Sequence, residues 1–135
     1  MSQLKDRRTS MRVTAENIVL NSGEWFTQNE LNSIATCQQF ELDEWELSGK
    51  IFSIHHDGTD YYPTYALDSK DYRPLDAMAK VISTFSGHKN GWGMAFWFMS
   101  ANGCLGAVTP KSIIATEPER VLAAARDEIE GVAHG

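Results

Sequence analysis

The sequence predicts a mainly α-helical protein with a small β-hairpin, in which a helix-turn-helix plus hairpin N-terminal half packs on a C-terminal helical bundle. Residues 92–99 are almost all apolar and include Trp92, Phe96, Trp97 and Phe98, a pattern typical of a helix covered on all sides. Two short helical patterns and two β-rich stretches precede this aromatic helix, and further helix-start signals follow it.

The composition is that of an ordinary acidic globular protein. The chain has 135 residues, 42% of them hydrophobic, and a formal net charge of -6. This length suffices for one compact domain or for two small units that share a core. No apolar run approaches the roughly 20 residues of a membrane span, and the first residues lack the apolar segment of a secretory signal. Cys37 and Cys104 match no zinc or redox spacing, so we expect reduced thiols and a cytoplasmic location.

Positive charge is concentrated at the start of the chain. Residues 1–13 are expected to form a flexible, solvated arm. A short basic segment is also able to contact nucleic acid, so this arm supplies the candidate nucleic-acid-binding residues. These residues are Lys5, Arg7, Arg8 and Arg12.

Two short helices are predicted between residues 27 and 49. Thr27 and Glu30 have the spacing of a capping box, which marks the start of the first helix. A turn is expected near residues 37–39, and Gly49 is expected to end the second helix. Two helices joined by so short a turn have the dimensions of a helix-turn-helix. A weaker signal upstream, at residues 14–20, favours a short helix over a strand.

A β-hairpin is predicted next, over residues 51–65. Asp57-Gly58 is its turn signal, and Pro63 predicts an edge strand because proline cannot donate to a ladder. Helix, turn, helix and hairpin in this order are the pattern of a winged helix-turn-helix. We therefore assign residues 14–68 to a winged helix-turn-helix-like segment.

Residues 69–135 are predicted to form a bundle of four helices. The first follows Pro74 and the second is the aromatic helix. The third begins at Pro110, and the last is expected to start at a capping box formed by Thr116 and Glu119 and to end at Gly131. The expected core comprises Leu75, Met78, Ile82, Trp92, Ala95, Phe96, Met99, Leu105, Ile113, Val121, Leu122 and Ala125.

The charge of the predicted second helix conflicts with DNA recognition. Within residues 27–68 there are eight acidic residues against one basic residue, Lys50. A DNA reader needs lysine and arginine to neutralise phosphates, so this face should be repelled by DNA. We expect the module to be a scaffold for protein interaction. The acidic residues are Glu30, Glu41, Asp43, Glu44, Glu46, Asp57, Asp60 and Asp68.

The sequence offers little support for catalysis or for a cofactor. His55, His56 and Asp57 form one cluster with metal-ligand chemistry, with Asp60 nearby, but solvated turn residues are the favoured interpretation. No nucleophile elbow, P-loop, zinc-protease or dinucleotide motif occurs. An aromatic helix lines a core more often than a ligand pocket. We therefore expect a non-enzymatic protein without a metal or cofactor, and keep a small-ligand-binding or enzymatic domain as a distant alternative.

The C-terminal half resembles a known family. The pattern Trp92…Ala95-Phe96-Trp97-Phe98…Asn102…Leu105-Gly106…Thr109-Pro110…Pro118-Glu119-Arg120-Val121…Ala124-Ala125 is similar to the toxin-binding domain of Xre/MbcA/ParS-type antitoxins. The segment from Trp45 to Pro63 resembles the small helix-turn-helix and hairpin that precedes such domains in some bacterial proteins.

The resemblance implies an antitoxin-like protein of a bacterial toxin–antitoxin system, which binds and neutralises a partner toxin. In that family the C-terminal segment contributes to covering the active site of the toxin. Here that segment would be residues 128–135. The candidate partner-binding residues lie on the last helix and tail, off its expected buried side, and are Arg126, Glu130, Val132 and His134. The resemblance also implies operator binding, so a DNA-binding transcriptional regulator is the alternative, with the basic arm contacting DNA. A homodimer is left open.

Overall fold

The computed structural model describes the backbone of residues 2–134 and the side chains of residues 7–131. Helices predominate and a three-stranded antiparallel sheet accompanies them, which confirms the predicted fold class. The helices are α1 (Ser2–Leu20), α2 (Gln28–Ala35), α3 (Gln39–Leu47), α4 (Asp76–Phe85), α5 (Gly91–Met99), α6 (Pro110–Ile113) and α7 (Pro118–His134). The strands are β1 (Trp25–Phe26), β2 (Ile54–His56) and β3 (Thr59–Pro63). Short 3-10 turns occupy Thr64–Ala66 and Gly103–Leu105.

Helix α1 replaces the predicted arm. The expectation of an unstructured segment over residues 1–13 is wrong for its described part, because one helix runs from Ser2 through the predicted short helix at residues 14–20. Val19 is its only fully buried residue among those with described side chains. The Val19 carbonyl accepts a hydrogen bond from Trp25 Nε1 at 2.9 Å, and α1 contacts α5. The end of α1 is therefore anchored to the rest of the fold.

Helices α2 and α3, joined by residues 36–38, lie where two short helices were predicted. The capping box is present: the Glu30 backbone N–H donates to Thr27 Oγ1 at 3.2 Å, and the Thr27 N–H donates to Glu30 Oε1 at 2.9 Å. At the end of α3, Gly49 has φ +71°, which glycine adopts without steric cost. The Lys50 N–H then reaches the Trp45 carbonyl at 2.8 Å, the long bond of a Schellman motif.

The sheet corrects one expectation about the hairpin. Asp57 and Gly58 both have positive φ, as a type I′ turn requires, so the predicted turn is confirmed. However, the strand order is β1-β3-β2, so β3 is central and the prediction that it is an edge is wrong. Pro63 pairs with Trp25 at the last position of β3. A proline is tolerated there, because the sheet does not require a hydrogen bond from its nitrogen at the end of a strand.

The aromatic helix α5 joins the two halves of the chain. The Phe98 ring stacks on Phe52 at a centroid distance of 6.0 Å and packs against Tyr65 at 5.0 Å. At the start of α5, a Cβ on Gly91 would lie 2.2 Å from the Ser53 carbonyl oxygen, so a residue without a side chain is needed there. The buried residues of both halves form one hydrophobic cluster.

The predicted core is right in part. Met78, Ala95, Leu105, Val121, Leu122 and Ala125 are buried, whereas Leu75, Ile82, Trp92, Phe96, Met99 and Ile113 are half-buried against the same cluster. No residue of α5 is exposed, but the fully buried aromatic residue is Phe98 rather than Phe96. Solvent therefore reaches part of α5, so the prediction that this helix is covered on all sides is only partly right.

The last helix differs from its prediction at both ends. It begins at Pro118, and Thr116 Oγ1 donates to the Ile113 carbonyl at 3.5 Å, so the predicted capping box is absent. It continues through Gly131 to His134, so Gly131 is not its end. α7 packs chiefly on α4.

Candidate functional site

The acidic residues of α3 divide into an inner and an outer set. Glu41 faces Arg73, with 3.5 Å between Oε2 and Nη1, and Glu46 accepts a hydrogen bond from Ser53 at 3.0 Å. Asp43 and Glu44 are exposed. Two of the four acids of this helix are thus engaged with neighbouring elements, and two remain directed to solvent.

The outer face of α3 combines these two acids with two large apolar residues. Phe40 is 67% exposed and Leu47 is 90% exposed. Together with Asp43 and Glu44 they have the spacing i, i+3, i+4 and i+7, which places all four on one side of the helix. A groove of about 540 Å³ lies beside Asp43, Glu46 and Leu47. We call Phe40, Asp43, Glu44 and Leu47 the α3 face.

A second exposed face lies on α1. Met11 is 72% exposed and Ile18 is 57% exposed. A groove of about 360 Å³ runs between them along small residues of the same side, Ser10, Thr14 and Ala15. Arg7 and Arg8 lie one turn before Met11 and are exposed. We call Arg7, Arg8, Met11, Thr14, Ala15 and Ile18 the α1 face.

Two of the candidate nucleic-acid-binding residues share one side of α1, because Arg8 and Arg12 are exposed and lie four positions apart on the helix. Arg7 is also exposed, one turn before Met11, and the side chain of Lys5 lies outside the described residues. Exposed apolar side chains stand beside Arg7 and Arg8. The α1 face therefore presents basic and apolar side chains together.

The predicted partner-binding residues lie on α7. Arg126 and Glu130 are exposed on its outer side, and the side chains of Val132 and His134 lie outside the described residues. The inner side of α7 is fixed by buried Val121 and Ala125. The candidate surface is therefore separate from the residues that hold the helix in place.

Two polar side-chain contacts join α7 to neighbouring parts of the fold, in addition to its apolar packing on α4. Glu128 Oε2 lies 3.5 Å from Lys89 Nζ, which follows the end of α4. The Cys104 thiol donates to Asp127 Oδ2 at 3.1 Å, and this hydrogen bond raises the thiol pKa above its ordinary value. A raised pKa makes Cys104 less reactive, although its side chain is accessible.

The histidines of the hairpin are each paired locally. His55 Nδ1 lies 2.7 Å from Asp60, and His56 Nε2 lies 3.3 Å from Asp57. Within the described residues, no group of three or more metal-ligating side chains converges. Solvated turn residues with an acidic neighbour account for this cluster.

A buried polar site lies beneath α3. Tyr62 is 1% exposed, and its hydroxyl lies within the electrostatic influence of Glu46 and Gln39. Burial raises the pKa of the Tyr62 hydroxyl, and the negative charge of Glu46 raises it further. The Tyr62 side chain therefore packs between α3 and β3 next to Glu46. Glu46 is only partly exposed to solvent as a result.

Sequence reasoning missed the two apolar faces. Phe40, Leu42, Trp45 and Leu47 are the large apolar residues of α3, and only Leu42 and Trp45 are buried. The signal was available: Phe40 and Leu47 are seven residues apart on the side that carries Asp43 and Glu44.

Comparison with models of known families, with curated proteins and with solved structures found no match to this chain. In the described part of the chain, no helix combines the length and apolar character that crossing a membrane requires.

Proposed function

We propose that the protein is a non-enzymatic, antitoxin-like binding protein that engages and neutralises a partner toxin in the bacterial cytoplasm. The contact would be made by the outer side and tail of α7, through Arg126 and Glu130 with Val132 and His134.

The observation that carries this proposal is that several residues on which the antitoxin resemblance rests fix the turns between the last helices. Leu105 is buried, Gly106 adopts φ +69°, and Pro110 is buried at the start of α6. The Asn102 side chain accepts a hydrogen bond from the Cys104 N–H at 2.9 Å. These residues build the joint between α5, α6 and α7, so the resemblance corresponds to one structural unit.

The placement of α7 also supports the proposal. Its inner side packs on α4 and its outer side carries charged residues of both signs. Residues off the buried side can meet a partner without loss of folding, and binding energy in such contacts concentrates in few residues.

The test is growth rescue in cells that express the product of the neighbouring reading frame. The full-length chain should restore growth, and Arg126→Glu combined with Glu130→Arg should abolish rescue while leaving the far-UV circular dichroism unchanged. Lys80→Glu, a charge reversal at an exposed position of α4, is the matched control and should rescue fully. Rescue by the α7 double variant would refute the assignment of this surface.

A DNA-binding transcriptional regulator is the second candidate. Its support is the order of two short helices, α2 and α3, followed by the hairpin, as in a winged helix-turn-helix, together with the exposed Arg7, Arg8 and Arg12. The acidic α3 face opposes it, because like charge repels phosphates. We expect weak binding to random duplex DNA even at low salt. Tight, steeply salt-dependent binding that survives removal of residues 1–12 would favour the regulator.

A further inference from the structure

A small groove with charged walls lies between the end of α3 and the start of α4. Its volume is about 290 Å³, close to the lower end of the usual range for ligand sites, so it has room for a small organic molecule. The apolar part of its wall is formed by Trp45, Leu75 and Ala79. The charged part is formed by Lys50, Arg73 and Asp76. Apolar surface with a few charged groups is the composition typical of a small-molecule site.

Positive charge exceeds negative charge in this groove. Lys50 and Arg73 contribute two positive charges and Asp76 one negative charge, although the whole chain has a net charge of -6. Among the residues with described side chains, none forms an ion pair with Lys50. Arg73 Nη1 lies 3.5 Å from Glu41 Oε2, which is longer than a charge-assisted hydrogen bond, so the guanidinium keeps donors for a ligand. The surplus of one positive charge matches a ligand with one negative charge.

The backbone holds the two cationic residues in place. The Lys50 N–H donates to the Trp45 carbonyl at 2.8 Å. The Arg73 N–H donates to Asp71 Oδ1 at 3.0 Å, and the Arg73 carbonyl accepts from the Asp68 N–H at 2.7 Å. The guanidinium carbon of Arg73 lies 5.7 Å from the centroid of the Trp45 ring, which also restrains this side chain. A ligand therefore meets charges that are already positioned, which lowers the entropic cost of binding.

The chain adopts a left-handed conformation next to Arg73. Tyr72 has φ +55°, which is uncommon for a residue other than glycine. Residues held in such conformations concentrate at ligand-binding sites. Here the conformation accompanies two contacts in succession: the Tyr72 ring packs on Phe26 at a centroid distance of 6.2 Å, and Arg73 extends over Trp45.

We propose that this groove binds a small organic carboxylate that has one negative charge and an apolar body. The carboxylate contacts Lys50 and Arg73, since the guanidinium geometry matches a carboxylate. The apolar body packs on Trp45. A phosphate monoester fits less well, because it brings more negative charge towards Asp76. This inference is independent of the proposed function, because it uses neither α7 nor the antitoxin resemblance.

A titration of the isotope-labelled full chain with benzoate, followed by amide NMR spectra at neutral pH, tests the proposal. The backbone amide signals of Lys50, Arg73 and Asp76 should shift in a saturable way, and those of α7 should not. Benzyl alcohol has the same ring without the charge and should bind at least about fivefold more weakly, the effect of losing one exposed charge contact. Phenyl phosphate should also bind more weakly than benzoate.

Charge variants test which groups hold the carboxylate. Lys50→Met should weaken benzoate binding about fivefold, and Asp76→Asn should strengthen it, because it removes a like charge. Lys80→Met is the matched control, because Lys80 is exposed on α4 outside the groove, and it should leave the affinity unchanged.

Three results would overturn the proposal. The first is the absence of saturable shifts at the groove residues up to the highest soluble benzoate concentration. The second is equal affinity for benzoate and benzyl alcohol, or tighter binding of phenyl phosphate. The third is an equal loss of affinity in Lys50→Met and Lys80→Met, since general attraction to surface charge would then account for the binding.

Discussion

The side chains of the buried Tyr62 and the half-buried Tyr65 allow a paired test of two hydroxyl groups. The Tyr65 hydroxyl is inaccessible to solvent and has no hydrogen-bond partner among the described residues. An unsatisfied buried hydroxyl costs about 1–3 kcal/mol. Tyr65→Phe removes this hydroxyl and keeps the ring, which packs on Phe98 at 5.0 Å and on Trp25 at 6.3 Å. Some packing contact of the oxygen is lost, so we expect a net stabilisation of about 1 kcal/mol.

Tyr62→Phe is the matched control, with the opposite sign. The Tyr62 hydroxyl lies close enough to the Glu46 carboxylate for that charge to raise its pKa, and a hydrogen bond to a charged group contributes about 1.5–3 kcal/mol, so Tyr62→Phe should destabilise the protein. Urea unfolding followed by tryptophan fluorescence measures both changes. In thermal unfolding, the gain from Tyr65→Phe should raise the melting temperature by about 3–5 °C. A loss of more than about 1 kcal/mol for Tyr65→Phe would refute the reasoning, since the hydroxyl would then have a partner such as a buried water.

Three further predictions follow from packing and titration. Phe98→Ala should lower the free energy of unfolding by roughly 3–5 kcal/mol, because Phe98 is fully buried. Phe96→Ala should lower it by about half of that, because Phe96 is half-buried. Equal losses for the two variants in urea unfolding would contradict this placement. Burial raises the pKa of Tyr62 and Tyr65, so the stability these two residues contribute should be constant below about pH 10 and fall as the pH rises above it, where the unfolded tyrosines ionise. A double Tyr→Phe variant with an unchanged alkaline slope would contradict that cause. Asp127→Ala should lower the pKa of the Cys104 thiol and therefore speed its alkylation at pH 8, which mass spectrometry can measure. An unchanged rate would show that the hydrogen bond between Cys104 and Asp127 is not formed in solution.

Features fixed by neighbouring residues were predictable from the sequence. The Thr27–Glu30 capping box, the Asp57-Gly58 turn and the Gly49 helix end each depend on a few adjacent positions, and all three are confirmed. Helix patterns with an inner apolar side, such as α4, were also recognisable, because burial imposes their periodicity.

Features fixed by distant residues were not predictable. Strand β1 has only two residues, and its existence depends on pairing with Pro63 and Tyr62 far along the chain. Helix α1 carries no continuous apolar side, so its polar first half gives no periodic signal, and Val19 alone is buried among its described side chains. The α1 and α3 faces were missed for a related reason: exposed apolar residues at helical spacing look the same in sequence as buried ones.

The measurement that tests the central claim most directly is co-purification of the chain with the product of the neighbouring reading frame. The full-length protein should recover that partner in a fixed stoichiometry. A chain ending at Glu128 should remain folded, since it keeps the buried Val121, Leu122 and Ala125, but it should recover little of the partner. Equal recovery by both chains would contradict the placement of the contact on the end of α7, and failure of the full-length chain to recover the partner would contradict the antitoxin-like function.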